Sequence, residues 1–149
     1  MTAERQPVEA TRTLTIPADL DRLRDVRAFV RSWAGETGFH AEGTADLVQA
    51  VDEAVTNVIV HGYADRAGDV EIELIGSPES LAVRIRDNCP VFDPTRVPTP
   101  DTSLPLETRR LGGMGVHLMR ELSDALRHRA RPGGGNELTI VVATRRDRR

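Results

Sequence analysis

Glu53 and Asn57 lie four residues apart in a stretch whose apolar positions, Leu47, Val48, Val51, Ala54, Val55, Val58 and Ile59, recur at helical spacing. A separation of four turns a helix through about 40°, so the carboxylate and the amide share one side, away from the apolar stripe. Such a pair suits general-base work beside a bound cation, because an amide offers Mg²⁺ a neutral oxygen. It equally suits an ordinary solvent-facing polar pair. A second break in pattern is Asp87-Asn-Cys-Pro-Val-Phe-Asp-Pro94, directly after an alternating run. A carboxylate at a strand end can accept from an exocyclic amine such as that of adenine, although Asp, Asn and Pro also gather in turns for local reasons. The third break is Arg109-Arg-Leu-Gly-Gly-Met-Gly115. Glycines opening a helix let backbone N–H groups approach phosphate oxygens, and the helix dipole favours the negative charge. A hinge after a long loop has the same composition.

These residues need elements to hold them. Arg12-Thr-Leu-Thr-Ile16 alternates with period two before Pro17, which predicts a short strand at a sheet edge. Asp19 is placed to cap a helix carrying Leu20, Leu23, Val26, Phe29, Val30 and Trp33, with Gly35 and Gly38 ending it. The Glu53 helix is predicted from about Thr44 to His61, stopped by Gly62. Val70–Ile75 and Leu81–Arg86 form a β-hairpin around Gly76-Ser-Pro-Glu. Residues 87–110 show no period and are rich in proline, and a loop this long usually carries function or is mobile. A third helix from about Gly113 to Leu126, with Val116, Met119, Leu122 and Leu126 inward, precedes a central strand over Leu138–Ala143. The order β-α-α-β-β-loop-α-β predicts an α+β, two-layer sandwich: a mixed sheet with helices on one face. Residues 1–11 read as a loose arm, 12–143 as one domain, and 144–149 as a basic tail.

Composition narrows the chemistry. All 20 basic residues are arginine and lysine is absent, which removes the P-loop lysine, the kinase strand lysine and Schiff-base mechanisms. The net charge of −3 and an aromatic content of 3% argue against a nucleic-acid partner held by phosphate neutralisation or base stacking. One cysteine, Cys89, forbids an internal disulfide or a multi-cysteine metal site. No apolar run approaches the roughly 20 residues of a membrane span, and the N-terminus lacks a signal peptide's apolar stretch, so a cytoplasmic protein without membrane contact is expected.

Taken in order, E-A-V-T-N on a helix, D-N-C-P-V-F-D-P after a hairpin and G-G-M-G-V-H-L-M-R-E-L-S-D resemble the Bergerat-type, histidine-kinase-like ATP-binding fold. The opening R-T-L-T-I-P-A-D-L-D-R-L-R-D-V-R-A-F-V and closing G-G-N-E-L-T-I-V-V extend the likeness over about Arg12 to Ala143. Within that fold the chain looks like the bacterial anti-sigma factor serine/threonine kinases, the partner-switching regulators.

The resemblance implies ATP and Mg²⁺ as cofactors. It makes Asn57 the ligand of the Mg²⁺ that bridges the phosphates, and Glu53 the base that activates the substrate hydroxyl. It makes Asp87 the acceptor of the adenine amine, and Gly112, Gly113 and Gly115 a lid whose amides meet the phosphates, with Met114 a lid side chain. Arg109 and Arg110 are close enough in sequence to reach the γ-phosphate. The implied partners are an RNA polymerase sigma factor, an anti-anti-sigma protein of the STAS type and a second copy of the chain. One position departs from the pattern, since the family usually has glycine where this chain has Cys89. If the backbone there needs positive φ, cysteine costs about 1 kcal/mol or more, and its side chain crowds the base. That departure motivates the alternative of a non-catalytic regulator on the same fold. An ATPase domain detached from a histidine kinase is poorly supported, because His40, His61, His117 and His128 lack the context of a phosphoacceptor helix.

Overall fold

The computed structural model describes residues 10–77, 79–98 and 113–143. Strand β1 (Ala10–Pro17) leads through a single tight turn, capped when Asp19 Oδ1 accepts from Asp21 N–H, into α1 (Leu23–Thr37). Gly38 closes α1 in the left-handed conformation, whereas Gly35 lies inside the helix. Helix α2 (Ala41–Asn57) begins earlier than its pattern predicts, because His40 serves as cap: its Nδ1 accepts from Gly43 N–H at 3.0 Å. The helix then widens into a π-helical turn over Val58–Tyr63, closed by an Ala64 N–H to Ile59 carbonyl bond of 3.2 Å. The stop falls at Ala64, with φ 49, and not at Gly62.

The hairpin of β2 (Asp69–Gly76) and β3 (Ser80–Asp87) forms as predicted. The third helix, α3 (Gly113–Leu122), is shorter than its pattern suggests. Ser123 donates its hydroxyl to the Met119 carbonyl, and Asp124 N–H donates to the Val141 carbonyl at 2.8 Å, so the chain passes straight from helix to sheet. Ala125–Ala130 is therefore a strand, β4, which the sequence reading missed; Leu126 packs against the core from this strand and not from α3. Its arginine-rich Ala-Leu-Arg-His-Arg-Ala lacks apolar alternation because it lies on the sheet's outer edge, where little of it needs burying. Strand β5 (Asn136–Ala143) completes a sheet of order β1-β2-β3-β5-β4. Every pairing is antiparallel, so the expected mixed sheet is corrected to an antiparallel one, while the placement of β1 at an edge stands.

One sheet face meets the helices. Val70, Ile72 and Leu74 of β2, Leu81, Val83 and Ile85 of β3, and Leu138, Ile140 and Val142 of β5 are buried against Val26, Val30 and Trp33 of α1, Leu47, Val51 and Val55 of α2, and Val116 and Met119 of α3. This apolar face is the main source of stability, at roughly 1.5–3 kcal/mol per fully buried large side chain. The opposite face is ionic. There the Arg86 guanidinium donates to Glu71 at 2.7 Å and to Glu73 and Glu137 at 2.9 Å each.

Candidate functional site

The apolar rows of β3 and β5 both end in a polar residue on the helix-facing side. In β3 the buried series Leu81, Val83, Ile85 continues to Asp87, and in β5 the series Val142, Ile140, Leu138 continues to Asn136. Antiparallel register sets Asp87 opposite Asn136. At this end of the sheet the helices stand away and leave a cavity of about 570 Å³. Asn57, Val58 and His61 line it from α2 and the π-turn, Val116 and Met119 from α3, and Cys89, Pro90, Val91 and Phe92 from the segment after β3.

Asp87 is only 4% exposed. Its Oδ1 accepts from Cys89 N–H at 2.8 Å and from Asn136 Nδ2 at 2.9 Å. These bonds, with the hydrogen bond from the Cys89 thiol, fix the carboxylate in place at the cavity wall. Across the cavity, the Asn57 side-chain amide makes no hydrogen bond to another described residue. Asn57 is partly buried, so its amide remains accessible to a ligand from the cavity that it lines.

Cys89 is buried, and it is not among the non-glycine residues with positive φ, which are Ala64 and Asp65 among the described residues. The strain that a glycine-to-cysteine departure could cause is therefore absent from its backbone. Burial, and then the charge of Asp87 and a hydrogen bond to it, push the thiol up to about 12, so the thiol stays protonated and unreactive. Arg86 gives no help to a thiolate, being committed to three glutamates on the other sheet face. Room for the side chain comes from Gly62: a Cβ there would stand 2.7 Å from Cys89 Sγ and 3.2 Å from its Cβ. What reads as a helix stop in the sequence is a space requirement.

Glu53 is one turn before Asn57 on α2 and lies outside the cavity wall. Its carboxylate faces the first turn of α3, where a Cβ on Gly115 would come within 2.8 Å of Glu53 Oε2. Burial, and then the neighbouring charge of Asp52, raise its pKa above the ordinary carboxylate value. Asn57, Asp87 and Cys89 thus share one cavity, with Glu53 and Gly115 meeting beside it. Gly113 and Met114 begin α3, while Arg109, Arg110 and Gly112 lie outside the described residues. Sequence reasoning missed Asn136, His128 and Arg66, all of which line the cavity. For Asn136 a signal existed, since a polar residue in phase with a buried apolar row must be buried with it. Arg66 gave none: it donates from Nε to the Tyr63 carbonyl at 2.9 Å and from Nη2 to the Gly62 carbonyl at 2.6 Å, contacts set by the π-turn.

Residues 16–142 match the family model described as a histidine kinase-like ATPase domain. The chain is 32% identical over 117 residues to the serine-protein kinase RsbW of Listeria monocytogenes, covering 75% of this chain and 74% of that one. It is 32% identical over 120 residues to an anti-sigma F factor of a Thermoanaerobacter species, covering 80% and 81%. In fold it is similar to the crystal structure of the RsbU and RsbW domains of Rv1364c from Mycobacterium tuberculosis, with a TM-score of 0.61 and 23% identity. That likeness covers 93% of this chain and 34% of the longer one, and it speaks to the fold alone.

Proposed function

The chain belongs to the histidine kinase-like ATPase domain family and, within it, groups with the RsbW-type serine kinases and anti-sigma F factors; from that footing we propose that it is an ATP-dependent serine/threonine kinase that switches between two partners. One partner is a sigma factor that it sequesters, and the other an anti-anti-sigma protein of the STAS type that it phosphorylates, in the cytoplasm. No described helix is long and apolar enough to cross a membrane. The observation that carries this reading is that the buried Asp87 carboxylate and the Asn57 amide, which has no hydrogen-bond partner among the described residues, line one cavity at a sheet end.

In this reading Asp87 accepts from the adenine amine. Asn57 is the protein ligand of Mg²⁺, and the donor set fits that ion. Among the described residues no cluster of His, Cys, Asp or Glu could hold a metal. A cation here would be held by the Asn57 amide oxygen together with the nucleotide's phosphates and water, a sparse arrangement that Mg²⁺ accepts. When bound, Mg²⁺ neutralises charge on the phosphate oxygens during transfer. Gly113 and Gly115 lie in the first turn of α3, whose N–H groups lack helical partners and suit an anion. In this reading Gly112, Gly113 and Gly115 form the lid on the phosphates, with Met114 a lid side chain and Arg109 and Arg110 preceding them in the chain. Glu53 takes the proton of the partner's hydroxyl. The hydroxyl oxygen then bonds to the γ-phosphorus as the bond to the bridging oxygen breaks, and ADP leaves. Phosphate adds negative charge at the partner's interface and releases it, freeing the kinase for sigma.

The non-catalytic alternative drew on backbone strain and crowding at Cys89; the ordinary backbone there takes away the strain, while the side chain does line the cavity. The reading is tested with Glu53→Gln, which is expected to keep ATP and sigma binding while phosphorylation of the antagonist falls about 10²-fold or more. Because the pKa of Glu53 is raised, wild-type turnover should fall with acid at a pH above the ordinary carboxylate range, and this limb should vanish in the variant. Unchanged phosphotransfer in Glu53→Gln would take the base role from this residue.

A further inference from the structure

Asn136 uses its whole hydrogen-bonding capacity. Nδ2 donates to Asp87 Oδ1 at 2.9 Å and to the Pro90 carbonyl at 3.1 Å. Oδ1 accepts from Phe92 N–H at 2.9 Å and meets His128 Nε2 at 2.7 Å. The orientation of the amide is forced by chemistry, because a backbone N–H can only donate and a backbone carbonyl can only accept. It follows that His128 carries its proton on Nε2. That ring projects from β4 beside Ala130, the register partner of Asn136, and its side chain is only 6% exposed. Its Nδ1 lies 3.9 Å from Asp93 Oδ2, on the same segment that Asn136 ties down through Pro90 and Phe92.

Resting on the assignment of Asp87 to the adenine amine, we infer that Asn136, locked by His128, is the positioning residue that makes Asp87 selective for a base bearing an exocyclic amine. Three consequences follow from the bonds. Asn136 has no hydrogen left to offer a base, so it acts through Asp87. It holds Oδ1 in place, which fixes the plane and the depth of the carboxylate in the cavity wall. It also pins Pro90 and Phe92, the cavity's rim, to the same amide that holds the carboxylate, so rim and carboxylate move together.

The test measures equilibrium binding of ATP and of purine riboside triphosphate, which lacks the 6-amino group, to the full chain. Wild type is expected to prefer ATP by about tenfold or more, the range of a hydrogen bond to a charged acceptor. Asn136→Ala should lose most of that preference, binding ATP more weakly and the analogue nearly as wild type does. His128→Phe keeps the ring's bulk and removes the lock, and should erode the preference to an intermediate value; it decides the matter if Asn136→Ala does not fold. A merely structural role would weaken both ligands equally and leave the ratio intact, and that result in folded variants overturns the inference while the Asp87 assignment stands. If wild type itself shows no preference, the Asp87 assignment fails, and the inference fails with it.

Discussion

A cysteine in place of glycine needs two things, a backbone it can adopt and a volume it can fill, and the second is supplied 27 residues earlier in the chain by Gly62. The two positions form a size pair: Sγ occupies the space that a methyl group at residue 62 would claim. Gly62→Ala is therefore expected to destabilise the protein by about 1–3 kcal/mol, the usual cost of overpacking a buried contact. Cys89→Gly should be mild alone, and the double variant should recover most of the loss. Thermal unfolding of the four proteins gives the coupling directly. Additive effects would show that the clash relaxes elsewhere and that the pair is not a unit. The buried thiol carries a related consequence. Held protonated and out of water, Cys89 gives an oxidant or alkylating agent little to attack in the folded chain, so it tunes the cavity's shape and not its redox response.

At the scale of elements, the sheet works with two unlike faces. The helix-facing rows bind the layers together, while the open face is organised by Arg86, whose side chain is 20% exposed and serves three glutamates on the two strands that flank its own. Burial alone would raise the pKa of Glu137, but the Arg86 hydrogen bond and charge outweigh it and the pKa is lowered. The sign of the linkage follows. A carboxylate with a depressed folded pKa contributes stability that is present above its unfolded pKa and lost as pH falls through the folded value. Arg86→Met should thus lower stability near neutral pH by about 2 kcal/mol, since it strands three carboxylates. The gap from wild type should narrow as the pH falls below the ordinary carboxylate range and through the lowered pKa of Glu137. Urea unfolding at neutral and acidic pH checks this, and a gap that stays constant with pH would show that lost packing, not charge, is the cause. The elements themselves were unevenly legible. The hairpin and both long helices stand out because their apolar periods are strong, and Asp87 and Asn57 because they break those periods. β4 was hidden because an edge strand of alternating arginines carries no apolar signal, and with it went His128. The π-turn was hidden because its residues, Val58–Tyr63, continue the helical pattern of α2 without a breaker at the point where the hydrogen bonding changes.

For the whole molecule, the candidate site lies where separate parts of the fold meet: the end of the sheet with Asp87 and Asn136, the end of α2 with Asn57, and the side of α3 with Val116 and Met119. The unfolded chain has no such meeting point, so a ligand that bridges these parts binds only the native state and stabilises it by RT ln(1 + [L]/Kd). At ligand concentrations near 100 Kd this amounts to about 2.7 kcal/mol, which for a chain of this size raises the melting temperature by roughly 5–10 °C. Mg-ATP should produce that shift in wild type. The two anchors should then fail in different ways. Asp87→Asn turns an acceptor-only carboxylate into a group that also presents N–H donors, so it should lose the shift with ATP and with adenosine alike, whether or not Mg²⁺ is present. Asn57→Ala leaves the base end untouched, so its shift with adenosine should match wild type, and only the additional increment that Mg²⁺ gives with ATP should disappear. Identical losses in the two variants would mean that they damage one common structure. Separate losses would place base and phosphates at opposite ends of the cavity, on the sheet and on α2 respectively.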